Sequence, residues 1–198
     1  APFPPYTFLA ADGAITGFDR DVGDEVCRRA ALNCQWQNVQ FDQLIPGVIS
    51  GRFDVILGGL AVTPERQKII DFTLSYNETS DFDELYGHEG APAPEAARIA
   101  VQSGTIQESH ARKKGWNTYS FATETEVLEA LRQGKTDLAF AALADETVTQ
   151  LAENEDILPL YEEEVPDLGT AMAVCRGNEA LLTQLNAALR TMMEDGTI

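Results

Sequence analysis

The chain has 198 residues, 44% of them hydrophobic and 23% charged, a profile that fits one large or two small α/β domains of an ordinary globular protein. Its formal charge of −18 argues against nucleic acid as a partner, because phosphate binding needs a basic surface. No run approaches the roughly 18 consecutive apolar residues of a membrane-spanning helix. Ala1-Pro-Phe-Pro-Pro5 carries neither a charged nor an apolar leader, so any export signal has been removed or lies outside these residues.

Val22, Val26 and Ala30 share one face of a helix predicted from about Asp21 to Leu32. A strand is predicted near Gln35 to Val39, then a helix from Asp42 to Ser50 closed by Gly51. Phe53 to Leu57 is an apolar run broken only by Asp54 and ended by Gly58 and Gly59, the pattern of a mostly buried strand leaving its sheet. Thr63 is a good N-cap, and Pro64 suits the first helical position, so a helix starts there. Strand ends of open α/β sheets are where ligands bind, and free N–H groups at a helix start favour anions. Arg66 brings a planar fork of donors suited to a carboxylate; the plainer reading is a solvated arginine in a first helical turn.

Asn77 to Glu95 reads as a polar stretch without an element. Arg98 to Gln102 is a strand, Ser103-Gly104-Thr105 opens a second helix that ends at Gly115, and Thr123 with Glu126 has capping-box spacing before a helix that Gly134 ends. Asp137 to Leu143 reads as another buried strand. Leu181, Leu182, Leu185, Leu189 and Met192 mark one face of a last helix, terminated by Gly196. This alternation predicts parallel sheets covered by helices, and two anion-friendly helix starts in separate halves predict a cleft between lobes.

Between Asn77 and Leu168 there are 20 acidic and 6 basic residues, against 12 and 8 in the rest, so the middle third is expected to be a separate unit with an acidic surface. That surface serves solubility or draws in cations. Cys27 and Cys34 can close a small helix-to-strand staple outside a reducing cytosol, or stand as two buried thiols; Cys175, in an apolar run, reads as a core thiol. No CxxC occurs, and His88 and His110 lie far from any cysteine, so neither a metal site nor a cofactor is expected.

The segments Phe3-Pro-Pro-Tyr-Thr-Phe8, Gly17-Phe-Asp19, Cys27-x6-Cys34, Phe41-Asp-Gln-Leu-Ile-Pro46, Gly51-Arg-Phe-Asp54, Gly59-Leu-Ala-Val-Thr-Pro-Glu-Arg66 and Ile70-Asp-Phe72 resemble the polar amino acid family of bacterial solute-binding proteins, the extracytoplasmic receptors of ABC importers. Val101-Gln-Ser-Gly-Thr-Ile106, Gly134-Lys-Thr-Asp137 and Asp195-Gly-Thr-Ile198 continue the resemblance in the family's order. The cysteine spacing is most similar to the branch that binds lysine, arginine, ornithine and histidine, which uses it as a disulfide. The resemblance implies an α/β protein of the type II periplasmic-binding-protein fold, with lobe 1 formed by 1–80 plus 170–198, lobe 2 by 81–169, and a ligand cleft between them.

It further implies that Arg66 clamps a ligand carboxylate, assisted by backbone N–H groups of Thr105 and Ile106, and that Gly59 offers its carbonyl to an α-ammonium. Phe3 and Phe41 would sandwich the ligand side chain. Two positions depart from the family: Ala61 stands where Ser or Thr supplies a hydroxyl contact, and Ala142 where an acid pairs with the α-ammonium; Asp145 supplies that charge only if the alignment slips by three residues. The expected ligand class is therefore a small carboxylate, whether a free amino acid, an opine or a betaine-like compound. The expected function is delivery of that ligand to the membrane subunits of an ABC importer from the periplasm, without catalysis. The alternatives are a sensor domain of a membrane signalling protein and a cyclohexadienyl-dehydratase-like enzyme. By the same resemblance, the family's first strand falls before Ala1, its last helices after Ile198, and the crossover strand expected after Tyr76 is replaced by polar residues.

Overall fold

A computed structural model describes residues 3–78 and 82–198. The chain divides into two compact units, Ala1–Thr79 with Asp167–Ile198, and Ser80–Pro166.

The first unit opens with a small ribbon, β1 (Phe8–Leu9) against β2 (Ile15–Thr16), followed by α1 (Phe18–Arg29). A 3₁₀ turn (Phe41–Gln43) leads into α2 (Leu44–Ile49), then β3 (Val55–Ile56), the single-turn α3 (Pro64–Gln67) and β4 (Ile70–Phe72). In the second unit come β5 (Phe82–His88), β6 (Arg98–Gln102), α4 (Ile106–Lys114), β7 (Asn117–Phe121), α5 (Glu124–Arg132), β8 (Leu138–Ala141), α6 (Asp145–Glu155) and β9 (Ile157–Glu164). The chain then returns to the first unit with β10 (Ala173–Cys175) and α7 (Glu179–Glu194).

β10 lies between β3 and β4, antiparallel to both, with Ala173 opposite Ile56 on one side and Phe72 on the other. Because successive side chains of a strand point to opposite faces, β10 serves two cores. Val174 joins Val22 and Val26 of α1 and Leu185, Leu189 and Met192 of α7. Ala173 joins Leu44, Val48, Leu60 and Ile70 on the other face. The expectation of parallel sheets fails here: the strand that completes this sheet arrives last and runs against its neighbours.

The second unit is a five-stranded sheet in the order β7-β6-β8-β5-β9. β6 is parallel to β7 and β8, while β5 is antiparallel to β8 and β9. β8 is buried along its whole length and β6 along all but its first residue, as a strand covered on both faces must be. Ile99, Val101, Leu138 and Phe140 meet Ala111 of α4 and Trp116; Ala100, Ala139 and Tyr86 meet Val127, Leu128 and Leu131 of α5 and Leu151 of α6.

Several predicted elements need correction. Gln35 to Val39 forms no strand and no helix; Trp36 instead folds over α1, its indole N–H donating to Asp24 at 3.0 Å with the Arg20 guanidinium 4.6 Å above the ring. The predicted polar stretch from Asn77 to Glu95, of which 79–81 lie outside the described residues, contains β5. Asp83 and Glu84 mask the strand in the sequence, yet Leu85, Tyr86 and Gly87 are buried between β8 and β9. β9, with Pro159 and three glutamates, gave no strand signal, and Pro is tolerated there because β9 is an edge. The first helix starts at Phe18 rather than Asp21, and Ala31, with φ of 51°, stops it before Leu32.

Cys27 in α1 and Cys34 in the irregular segment that follows form a disulfide with a Cα–Cα distance of 6.2 Å. Cys175 is a free, half-buried thiol on β10. Among the described residues no helix is long and apolar enough to cross a membrane.

Candidate functional site

In the first unit two of the residues predicted to hold a ligand, Ala61 and Phe41, lie against Arg66 of α3. Thr63 caps this helix, its hydroxyl accepting the Arg66 N–H at 3.2 Å, and Pro64 occupies the first helical position. α3 is a single turn, so the helix dipole contributes little and anion-binding capacity rests on the guanidinium itself. Arg66 is only 8% exposed. Its Nη1 donates to the Ala61 carbonyl at 2.6 Å, and its Cζ lies 5.9 Å from the centre of the Phe41 ring. Burial lowers its pKa to about 10, and the charge of Asp167 works in the opposite direction. A cation taken this far out of water favours an added anion, because the penalty already incurred is offset by each new opposite charge.

Ala61 is buried, bridges to Thr170 and supplies its carbonyl rather than a side chain to Arg66. Gly58 and Gly59 have φ of 153° and 61°, and a Cβ on Gly59 would fall 2.5 Å from Phe3 Cδ1. Phe3 therefore packs directly on Gly59, and it stacks on Tyr6 with ring centres 5.2 Å apart. Arg66, Ala61 and Phe41 form one group and Gly59 and Phe3 another, joined along the chain through Leu60.

A residue that sequence reasoning did not place in the site lies beneath the second group. Asp19 is 1% exposed; its carboxylate accepts the Gly59 N–H, the Tyr76 hydroxyl at 2.7 Å and the Thr7 hydroxyl at 3.4 Å. Burial raises its pKa while these hydrogen bonds oppose the rise. The motif Gly17-Phe-Asp19 was its only signal. A cavity of about 510 Å³ in the same unit borders the disulfide and is lined by apolar side chains such as Val26, Leu32, Val55, Leu57, Met172 and Leu185. None of the predicted ligand residues lines it.

In the second unit Thr105 caps α4, accepting the Glu108 N–H at 3.2 Å and donating its hydroxyl to the Gln102 carbonyl at 2.7 Å. The Thr105 N–H, predicted to face an anion, closes a turn onto Gln102 at a long 3.4 Å. Glu108 accepts from Gly104 N–H, Ser120 and Arg112; burial opposes its ionisation, but these bonds hold its pKa below the usual range. Ile106 is the first residue of α4 and half-buried. Asp145 is the exposed first residue of α6, its carbonyl accepting from Thr149, whereas Ala142 directly follows the end of β8.

The same sheet edge, at the C-terminal ends of β6, β7 and β8, holds acids that the sequence did not flag. Glu84 sits opposite Ala141 and accepts the Tyr86 hydroxyl at 2.7 Å; Asp83 accepts from the buried Gln107 at 2.8 Å. Glu124, first residue of α5, has its pKa pushed up to about 7 by burial. A helix start favours a carboxylate by only about 0.3–1 kcal/mol, so desolvation wins. A raised folded-state pKa gives stability that is present below the ordinary value of 4.5 and is lost as pH rises through about 7. Wild type is thus expected to lose up to about 3 kcal/mol relative to Glu124→Gln between pH 4.5 and 8, read as converging and crossing denaturation midpoints; parallel curves would show Glu124 titrating normally.

The model of the bacterial extracellular solute-binding proteins, family 3, matches residues 1–198. The ABC transporter arginine-binding protein 1 of Escherichia coli K12 is 30% identical over 218 residues, covering 100% of this chain and 84% of that protein. The lysine/arginine/ornithine-binding periplasmic protein of the same organism is 27% identical, covering 98% and 80%. Among solved structures, a periplasmic His/Glu/Gln/Arg/opine family-binding protein from Silicibacter pomeroyi in complex with lysine superposes with a TM-score of 0.88 at 33% identity, covering 98% of this chain and 88% of that one. An ancestral arginine-binding protein bound to arginine gives the same TM-score at 28% identity, covering 98% and 90%. These likenesses extend over both units and place the chain in the α/β type II periplasmic-binding fold. The chain therefore belongs to family 3 of the bacterial extracellular solute-binding proteins.

Proposed function

We propose that this protein is a periplasmic receptor that binds an amino acid or amino-acid derivative by its carboxylate and delivers it to the membrane subunits of an ABC importer. The observation that carries the reading is Arg66: a buried guanidinium, braced by the Ala61 carbonyl and set over the Phe41 ring, with its fork of donors suited to a carboxylate. Gly59 and Phe3 would form the neighbouring wall, with Thr105, Ile106 and Asp145 as the candidate contributions of the second unit. Relatives named for binding arginine or lysine make these the first ligands to try. Ala142 removes the acid expected to meet an α-ammonium, so N-substituted amino acids such as opines belong in the same comparison.

Isothermal calorimetry with L-arginine, L-lysine, L-glutamine, an arginine-derived opine and glycine betaine tests the reading. One of the carboxylate ligands is expected to bind at micromolar Kd or tighter, about −8 kcal/mol or more, and to raise the denaturation temperature by mass action. Binding of none of them defeats the proposed ligand class. Mass spectrometry of the bound ligand after overnight incubation should recover it unchanged; a product would make the protein an enzyme.

A further inference from the structure

We propose that Asp19 is a positioning residue for ligand binding, its carboxylate holding the Gly58–Gly59 turn and the Phe3 segment in the arrangement that receives the ligand. The inference rests on the reading of Arg66, Gly59 and Phe3 as one jaw of the receptor.

The geometry is confined to the first unit. The first free N–H groups of α1 are used to hold the N-terminal segment: Phe18 N–H donates to the Pro5 carbonyl at 3.1 Å and Asp19 N–H to the Tyr6 carbonyl at 2.9 Å. Gly17, with φ of 116°, lets that segment come close; a Cβ there would fall 2.4 Å from the Tyr6 oxygen. Phe3 and Thr7 exchange backbone hydrogen bonds in both directions, which closes residues 3–7 into a loop. The Asp19 carboxylate then ties this loop, through the Thr7 hydroxyl, to the glycine turn, through the Gly59 N–H, and to the segment after β4, through the Tyr76 hydroxyl.

These three donors are not equivalent. The Tyr76 and Thr7 hydroxyls can rotate and serve as acceptors, so a neutral side chain at position 19 could satisfy them. The Gly59 N–H is fixed by the backbone and needs an oxygen. A trans peptide points its N–H and carbonyl in opposite directions, so drawing Gly59 N–H onto Asp19 turns the Gly58 carbonyl away from it and sets the direction in which the chain continues to Ala61 and Arg66. Phe3, resting on Gly59 where a Cβ would be, takes its place from the same contact. Among the described residues the titratable groups facing this carboxylate are Tyr76 and, through it, Tyr6. Burial makes an ionised Asp19 costly, and the Gly59 N–H donates more strongly to a carboxylate than to the neutral oxygen of an amide or a carboxylic acid.

The test uses L-arginine as probe, calorimetry from pH 4 to 8, and the amide resonance of Gly59 in ¹⁵N-edited spectra of the ligand-free protein. Asp19→Asn is expected to weaken binding at least tenfold at pH 7. In wild type, affinity falls as pH drops through the raised Asp19 pKa, and the Gly59 amide proton moves upfield with the same midpoint; both changes are absent from Asp19→Asn. Tyr76→Phe, which leaves the Gly59 contact in place, costs threefold or less. Arg66→Ala separates the two ideas: if it abolishes binding while Asp19→Asn binds within twofold of wild type, the role of Asp19 is wrong and the clamp stands. If Arg66→Ala binds like wild type, the jaw itself is wrong and the proposal falls with it. Should Asp19→Asn fail to fold or wild type fail to bind L-arginine, a Gly59 amide shift that stays constant over the whole pH range in which the protein remains folded overturns the proposal, and one that titrates supports it.

Discussion

Arg66→Ala is expected to lower affinity for the receptor's carboxylate ligand by two to three orders of magnitude while leaving a folded protein. Charge-assisted hydrogen bonds contribute about 1.5–3 kcal/mol each, and a bidentate pair in a buried setting supplies two. Arg66→Lys should recover little of this loss, because an ammonium offers a point charge where the site presents a fork braced at Nη1 by Ala61. The ligand-free stability should change less than the affinity, since removing a desolvated cation relieves a penalty while leaving the Ala61 carbonyl without its donor and a gap beside Phe41. Calorimetry and thermal melts on the same samples separate the two quantities. An Arg66→Ala variant binding within about threefold of wild type would falsify the clamp.

Opening the Cys27–Cys34 bridge is expected to cost about 2–3 kcal/mol, the loop-closure value for so short a ring, or roughly 5–10 °C in the melting temperature of a protein this size. The bridge ties the end of α1 to a segment without regular secondary structure, where no helix or sheet ladder holds the backbone in place. Thiol titration of the denatured, unreduced protein should find one reactive cysteine, Cys175, and reduction should raise the count to three. Three before reduction would mean that the bridge does not form. Cys27→Ser paired with Cys34→Ser should melt at the temperature of the reduced wild type.

The features legible in the sequence are those decided within a few residues. Thr63, Thr105 and Thr123 cap helices because a hydroxyl needs only the N–H three residues on, and Gly115 ends α4 because glycine adopts φ of 75° without a Cβ clash. Arg66 was visible for the same reason, as a donor fork at a fixed offset from a strand end, a cap and a proline. What escaped depends on distant partners. β5 and β9 are strands because they pair with each other and with β8, and their acidic side chains hide the alternation that would mark them. Asp19 gathers donors from residues 7, 59 and 76, a convergence that no local window contains. Glu124 drew no attention beside the Thr123–Glu126 capping pair, since its burial depends on the folded surroundings and not on the residues next to it.

The order of the strands also dictates an order of assembly. β10, the centre of the first unit's sheet, is synthesised after the whole of the second unit, so residues 1–79 emerge from the ribosome with β3 and β4 but nothing to join them. The inserted segment, Ser80–Pro166, already contains all five of its strands and three helices when its last residue appears. During synthesis it can therefore reach its native state first, although it is encoded second, while the earlier segment waits as a partly formed layer. Isolated residues 80–166 should give a cooperative unfolding transition, and isolated residues 1–79 should not.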